Sequence, residues 1–427
     1  MTKTSNERFD VFIVGAGPVG ASLALALEGH GLAVGLAEAR PLGDPGQPSY
    51  DDKALALTGA SVKALDTLGV WPEVAHEATP IRQVHVSQRG RLGITRLNAS
   101  DAGMDALGQV VPARALGAAF NGRLRESPGL RLYCPARLKS AASGEEGRVL
   151  ELEGETGPLT VATRLLVGAD GTRSPVRELL GIAAKAGDGA QHALAANVTP
   201  EFDHGGCAYE RFTPGGPLAL LPMSGGRMGM VWTGDAALIE ELDGLSDAAL
   251  LSRLQAAFGM RLGRFTRIGA RKRYPLTSVV AERQTAERAV LLGNASQTLH
   301  PVAAQGFNLA LRDVAALAEL LVEAAAEEND PGDPALLRRF QAWRAGDRRR
   351  TRRFTGSLVR GFSSDFAPLA HARGLALFAL DLAPPVKRAF MRRALGLADR
   401  PPLLLVGGRL GAHAHGPASP IESERSS

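Results

Sequence analysis

The run from Phe9 to Glu38 constrains this chain more than any other stretch. An apolar segment, Phe9 to Val14, reads as a buried parallel strand and passes directly into Gly15-Ala16-Gly17-Pro18-Val19-Gly20, after which Ala21 to Glu28 carries a helical pattern. Gly15 permits the tight turn, Gly17 lets backbone N–H groups approach a pyrophosphate, and Gly20 lets the helix pack closely on the strand, with its positive end toward the phosphates. Pro18 falls inside the same turn. A second strand, Leu32 to Ala37, ends on Glu38, 18 residues beyond Gly20, where a carboxylate can accept from the diol of an unphosphorylated adenosine ribose. Glycine turns between strand and helix also occur as purely structural features. Here strand, turn, helix, second strand and acid agree on a dinucleotide site, and the stretch does not distinguish NAD from FAD.

With 427 residues the chain can bury a large core and should divide into two or three substructures. A formal net charge of +5 is mild for this length, and its basic excess is concentrated near residues 338–353, so nucleic acid is not an expected partner. Cys134 and Cys207 are the sole cysteines and have no CxxC spacing, which suits a reducing cytosol and offers neither a disulfide framework nor a zinc site. Lys3 and Arg8 before an apolar stretch that continues through Leu27 imitate a secretory signal, but Asp10 and the glycine turn make this a first strand. A cytoplasmic location is expected. No segment reaches the roughly 18 to 20 uninterrupted apolar residues of a membrane span, so any contact with the inner membrane face would be peripheral.

Further along, Pro41 to Tyr50 reads as a loop and Leu55 to Leu68 as a helix. Short antiparallel strands near Ile81 to Val86 and Leu92 to Thr95 interrupt the α/β pattern as an insertion would. A helical run from Ala113 to Arg125 precedes strands at Leu130 to Tyr133, Arg148 to Glu153 and Leu159 to Val161, a meander leading to a parallel strand, Leu165 to Val167. That strand ends in Gly168-Ala169-Asp170-Gly171, and Ser174-Pro175 opens a short helix. Asp170 thereby stands at the carboxyl edge of the sheet, either as acceptor from a ribose or ribityl hydroxyl or as a helix-capping acid. From Gln191 to Tyr274 the texture is β, with strands at Ala208 to Thr213, Pro217 to Leu221 and Arg227 to Thr233 and a helix from Ala236 to Phe258. Tyr209, Arg211, Leu220 and Trp232 lie along these strands, and either face a substrate pocket or serve ordinary sheet packing.

A third site is the strand Ala289 to Leu292 ending at Gly293-Asn294, then His300-Pro301 and Gln305-Gly306-Phe307-Asn308, where Gly306 opens a long amphipathic helix to about Glu323. Its N-terminus would direct free N–H groups and a positive dipole at an anionic ring above the loop. His300 has no second ligand spaced near it, so no metal is expected, and a base or a structural histidine remain open. Beyond Asp333-Pro334, a helix start, the run Arg348-Arg349-Arg350-Thr351-Arg352-Arg353 is either a solvated cationic face or a contact for an anionic membrane. Apolar helical segments follow at Leu369 to Leu382 and Val386 to Leu397, and the tail after Gly411 is expected to be disordered.

Taken together, GAGPVG, GADGTRS and LLGNASQTLHPVAAQGFNLALRD resemble the flavoprotein aromatic hydroxylases of the p-hydroxybenzoate hydroxylase fold from about Phe9 to Leu397. Within that group the Leu299-His300-Pro301 and Gln305 to Asn308 blocks, the stretch from Tyr209 to Pro222 and the segment from Leu380 are most similar to the ubiquinone-biosynthesis hydroxylases, in particular the 2-octaprenyl-6-methoxyphenol hydroxylase branch. The resemblance implies an α/β fold with α+β insertions. A Rossmann-like FAD-binding domain would comprise residues 1–75, 108–182 and 268–330, and a β-sheet substrate domain residues 76–107 and 183–267. A C-terminal helical region (331–400) and the tail (412–427) would complete the chain.

On the same resemblance, Gly15, Gly17, Pro18 and Gly20 would cradle the FAD pyrophosphate, Glu38 the adenosine ribose, and Arg114 the cofactor. Asp170 and Gly171 would serve both FAD and the nicotinamide nucleotide, while Gly293, Asn294 and Gln305 to Asn308 would line the flavin, with His300 and Pro301 nearest the chemistry. Two positions depart from the wider group: Asn294 replaces the usual acid, and Lys53 replaces an arginine, keeping the charge without the bidentate fork.

The implied activity is hydroxylation of a phenolic ring, that of a 2-polyprenyl-6-methoxyphenol, by O2 and NAD(P)H through a flavin C4a-hydroperoxide. A protein complex of quinone biosynthesis is an implied partner. A hydroxylase of another phenol and a non-catalytic flavin-binding component stand as alternatives. A flavin halogenase is disfavoured because Trp71, Trp232 and Trp343, the only tryptophans, form no WxWxIP motif.

Overall fold

A computed structural model describes residues 7–44, 53–90, 94–187, 191–299, 305–363, 386, 387, 391 and 400–411. The chain begins with β1 (Glu7–Val14), α1 (Pro18–Leu27) and β2 (Val34–Ala37), and continues through β3 (Ala54–Thr58), α2 (Gly59–Thr67) and the single turn α3 (Trp71–Val74). Four strands follow, β4 (Thr79–Ile81), β5 (Gln83–Gln88), β6 (Ile94–Asn98) and β7 (Gly108–Pro112), then α4 (Ala113–Glu126) and β8 (Leu130–Tyr133). A meander of β9 (Ala136–Ser143), β10 (Arg148–Gly154) and β11 (Gly157–Gly168) ends at α5 (Pro175–Leu179) and β12 (Ala184–Ala186). The β-rich middle comprises β13 (Gln191–Pro200), β14 (Cys207–Thr213), β15 (Gly216–Met223), β16 (Arg227–Asp235), α6 (Ala236–Gly244), α7 (Asp247–Phe258), β17 (Phe265–Ile268) and β18 (Lys272–Pro275). Last come β19 (Val279–Ala281), β20 (Thr285–Ala286), β21 (Ala289–Leu291), α8 (Gln305–Ala326) and α9 (Pro334–Ser363).

The first sheet runs in the order β20-β21-β11-β1-β2-β8, with β1, β2, β8, β11 and β21 parallel in their pairings. β1 is apolar toward both faces, as a parallel strand covered on both sides must be. Val11 and Ile13 pack with α1, α2, α4 and α8, whereas Phe9 and Phe12 pack with Leu150, Leu152 and Val176 beneath the meander. The second sheet, β17-β13-β16-β15-β14-β5-β6 with β18 on β13, draws strands from two separated chain segments. One face carries α6 and α7 on a core of Leu218, Leu220, Met230, Trp232, Leu250 and Phe258. The other meets the small sheet β3-β7-β4 through Ile81, Leu97, Val110, Ala208 and Met223.

Several elements differ from expectation. The run Leu55 to Leu68 is not one helix: Ala54–Thr58 pairs with β7, and the Thr58 hydroxyl accepts from Ser61 N–H at 3.2 Å to start α2. Leu130 to Tyr133 joins the parallel sheet beside β2, and the strands expected at Leu159 to Val161 and Leu165 to Val167 are one continuous strand, β11. The polar β9 was not expected at all, since its residues are only partly buried and carry weak periodicity. The single helix expected over Ala236 to Phe258 breaks at Leu245, where Ser246 caps α7 by accepting from Ala249 N–H at 3.3 Å. The segment Leu369 to Leu382, most of Val386 to Leu397 and the tail after Gly411 lie outside the described residues.

α9 lies on α8 through a buried ionic network. Arg312 Nε donates to Asp347 at 2.8 Å and Arg344 Nε to Asp313 at 2.7 Å, and the side chains of Arg344 and Asp313 are 5% and 2% exposed. Arg348, first of the basic run, turns inward to Gln284 and to Ser296 Oγ, whereas Arg349, Arg350, Arg352 and Arg353 are exposed. No helix among the described residues is long and apolar enough to cross a membrane.

His85 on β5 is 2% exposed, and neither ring nitrogen has a hydrogen-bond partner among the described residues. Burial, reinforced by Arg261, pushes its pKa from 6.5 down to about 4. Because the folded value is depressed, the neutral ring's contribution is complete above pH 6.5 and is lost as the pH falls toward 4. Accordingly, the thermal midpoint of wild type should fall more steeply between pH 6.5 and 4 than that of His85→Phe, which keeps a ring against Tyr209 and cannot be protonated; scanning calorimetry across that range measures the difference.

Candidate active site

Three strands of the first sheet end at one level. Val14 of β1 pairs with Gly168 of β11, and Gly168 pairs in turn with Leu291 of β21. The loops that leave these ends carry Gly15, Asp170 and Gly293, so motifs far apart in sequence emerge side by side at the carboxyl edge, where ligands of open α/β sheets bind.

Glycines close the contacts between the loops. Gly15 has φ +104°, and a Cβ there would lie 2.5 Å from the Ala169 carbonyl oxygen and 3.0 Å from Asp170 Cα. A Cβ on Gly20 would overlap the Gly15 carbonyl, and one on Gly293, at φ +56°, would come within 3.0 Å of Val19 Cγ2. At Gly17, Gly171 and Gly306 the Cβ position has no neighbour within 4 Å. The chain is therefore packed tight behind the turn and open in front of it. Gly17 is the N-cap of α1 with Pro18 at its first position, where the N–H that proline lacks would have no helical partner.

Glu38 and Asp170 flank this opening. Glu38 Oε2 accepts from Ala16 N–H at 2.9 Å and Oε1 from Arg40 N–H at 3.1 Å, placing the carboxylate directly against the glycine turn. Asp170 performs the capping role and leaves an acceptor over: Oδ2 takes Val176 N–H at 2.9 Å, while Oδ1 is buried with no partner among the described residues. Burial pushes its carboxyl above the ordinary range. An orphaned buried oxygen beside an open glycine cradle fits a hydroxyl-bearing ligand such as the sugar chain of a flavin dinucleotide.

The third motif is held from behind. Buried Arg177 on α5 donates to the Ala295 carbonyl and to the Thr172 carbonyl, both at 3.0 Å, tying the second motif to the third. It was not expected from the sequence, where nothing marks an arginine two residues into a short helix as buried. Asn308 uses its amide inside the protein: Oδ1 accepts from Thr58 N–H at 2.9 Å and Ser61 Oγ at 2.7 Å, and Nδ2 donates to the Ala56 carbonyl at 2.9 Å. Gln305 is buried, Phe307 packs on the main core, and Asn294 is exposed beside Gly293. His300 and Pro301 lie outside the described residues.

Other expected positions have different surroundings. Arg114 pairs with Glu77 at 2.6 Å. Lys53 places Nζ 5.4 Å from the Tyr274 ring centroid and lines a cleft of about 430 Å³ with Asn197, Arg227, Arg267 and Lys272, between β3 and the second sheet. Gly229 of β16 allows that approach, since a Cβ there would overlap Ala54. No group of three metal-ligating side chains occurs among the described residues.

Of the two readings for the four strand side chains, pocket lining or sheet packing, their surroundings match packing. Tyr209, Leu220 and Trp232 belong to the core beneath α6 and α7, and Tyr209 meets the Phe258 ring edge-on at 5.1 Å. Arg211 donates to the Ala257 carbonyl at 2.9 Å on that same face. The alternation of β14 places these residues on the face packed with α6 and α7 and puts Ala208 and Glu210 on the opposite face, the one that meets the small sheet β3-β7-β4.

Comparison with known proteins agrees with this geometry. Residues 8–354 match the family described as FAD binding domain. The chain is 38% identical to ubiquinone hydroxylase UbiL of Rhodospirillum rubrum, covering 95% of each chain, and 33% identical to 3-demethoxyubiquinol 3-hydroxylase of Escherichia coli, covering 92% of this chain and all of that one. In structure it resembles p-nitrophenol 4-monooxygenase PnpA from Pseudomonas putida, with a TM-score of 0.74 and 20% identity over 94% of this chain and 99% of that one. The chain belongs to the FAD-binding flavoprotein aromatic hydroxylases, and its cofactor is FAD.

Two outcomes test this site. Gly17→Ala has room for its methyl and an ordinary φ of −62°, so it should leave the apoprotein's thermal midpoint unchanged while weakening FAD at least about tenfold, read by flavin fluorescence titration; Gly20→Ala should lower the midpoint itself. Leu220→Ala should cost about 2–5 kcal/mol of stability without changing the KM for a phenol, because the side chain supports the sheet from behind.

Proposed function

We propose that this protein hydroxylates the ring of a polyprenylphenol in ubiquinone biosynthesis, a 2-polyprenyl-6-methoxyphenol, with O2 and NAD(P)H. The observation that carries the reading is the convergence of three loops on one sheet edge, in a chain similar over most of its length to proteins named ubiquinone hydroxylase UbiL and 3-demethoxyubiquinol 3-hydroxylase. FAD, when bound, supplies the redox chemistry that activates O2. Gly15, Gly17 and Gly20 hold its pyrophosphate, Glu38 and Asp170 its hydroxyls, and Gly293 with the N-terminus of α8 the ring end. The second sheet orients the phenol and keeps water away, which favours oxygen transfer over loss of hydrogen peroxide.

One complete glycine fingerprint occurs in the chain, so NAD(P)H docks transiently without a Rossmann unit of its own. The exposed arginines of α9, Arg349, Arg352 and Arg353, form the surface on which we place peripheral contact with an anionic membrane carrying the prenylated substrate. A second reading, hydroxylation of a later demethoxy-quinol, is favoured by the name of the Escherichia coli relative.

Deleting the gene and identifying the accumulated precursor decides between them. A 2-polyprenyl-6-methoxyphenol is the expected outcome, a demethoxy-quinol would shift the assignment to the second reading, and an unchanged quinone pool would sink both.

A further inference from the structure

The face of the second sheet turned away from α6 and α7 carries an isolated carboxyl. Across that face, strand register places Ala195, Val231, Ala219, Glu210, Val86 and Thr95 in one row from β13 to β6. Glu210 therefore stands between Ala219 and Val86, on the side of β14 that also bears Ala208 of the inner cluster, and opposite to Tyr209 and Arg211. Its carboxyl has no hydrogen-bond or ion partner among the described residues. The residue is not fully sealed in, since it is of intermediate exposure. A carboxylate held among Ala and Val with no cation and no donor is unfavourable for the fold, and such a group is characteristic of a functional site.

We propose that Glu210 is a catalytic residue of this hydroxylase, accepting the hydrogen bond and then the proton of the substrate's ring hydroxyl. The inference rests on the phenolic reading above. In the step, the phenol O–H bond breaks, its proton goes to a Glu210 carboxylate oxygen, and the electron pair stays on the phenolate, so the total charge of −1 is conserved. The phenolate donates into the ring and raises electron density ortho and para to the oxygen, where an electrophilic oxygen is accepted. The neutral carboxyl returns its proton when the hydroxylated product leaves.

Burial is the sole cause of a shift that pushes this carboxyl from 4.5 up to about 7, close to the value a general base requires at neutral pH. No charged side chain on the surrounding elements contributes. The facing residues from β5, β15, β6 and β16 are Val86, Ala219, Thr95 and Val231, and the nearest cation along the row is Lys272, beyond Ala195. Since the folded pKa of this acid is raised, its ionised form opposes folding increasingly as the pH rises from 4.5 through 7.

The test uses the FAD-loaded full chain, wild type and Glu210→Gln, with a short-chain 2-methoxy-6-alkylphenol as probe. The amide keeps the shape and cannot take a proton. Expected are a fall in kcat for hydroxylated product of about a hundredfold, a KM changed by much less, a higher yield of hydrogen peroxide, and loss of the kcat limb near pH 7. In the apoprotein, the thermal midpoint of Glu210→Gln should rise relative to wild type between pH 5 and 8. If the variant matches wild type in coupled turnover and in its pH profile, the inference is overturned while the phenolic reading stands. If wild type hydroxylates no phenol at all, the phenolic reading fails and takes the inference with it.

Discussion

Everything in this molecule that concerns the cofactor depends on three strand ends being level. The parallel register that aligns Val14, Gly168 and Leu291 brings the loops after β1, β11 and β21 within van der Waals reach of one another. At that distance side chains cannot be accommodated: Gly15 meets the backbone of Ala169, Gly20 the carbonyl of Gly15, and Gly293 the side chain of Val19. The same absence of Cβ atoms leaves Gly17 and Gly171 open in front, where a pyrophosphate needs backbone N–H groups at short range. Close packing behind and space in front are two consequences of one backbone arrangement.

This arrangement is stiffened by polar side chains turned inward. Arg177 joins the second loop to the third, Asn308 joins α8 to β3 and α2, and the Arg312, Asp313, Arg344 and Asp347 network joins α8 to α9. Such buried ion pairs add little net stability compared with apolar packing, but breaking one partner leaves an uncompensated charge, so they fix geometry more than they deepen the energy well. α8 is thereby held on three sides. The basic run that in sequence reads as a surface is divided by this demand: Arg348 is drawn in to Gln284 and Ser296, and its neighbours stay outside.

The two faces of the second sheet have different duties. Large side chains, Tyr209, Leu220, Met230 and Trp232, are used against α6 and α7, while small ones, Ala195, Ala208, Ala219 and Gly229, lie on the face that meets the small sheet β3-β7-β4. The single carboxyl among these small residues, Glu210, has only burial acting on it, with no charged neighbour contributing. Bulky aromatics on a strand are the conspicuous candidates for a binding pocket, yet here they are the packing.

The sequence by itself determined the local chemistry: glycines where strands turn into helices, the acid after β2, the capping acid after β11, and the order of the three motifs. Those signals are legible because each depends on residues a few positions apart, through φ preference, capping and alternation. It also determined most strands and helices, failing at Ala54–Thr58, where a strand precedes its helix without a breaker, and at β9, whose weak alternation reflects a half-buried edge. Tertiary structure alone decided which face of β14 packs on α6 and α7 and which meets the small sheet, since period-two alternation names two faces without saying which partner covers each. It also decided that Arg177 and Arg348 are interior. The second, unpartnered oxygen of Asp170 and the isolated carboxyl of Glu210 acquire meaning only from what surrounds them, because burial and the absence of a partner among the described residues are properties of long-range packing and are not written in any local pattern.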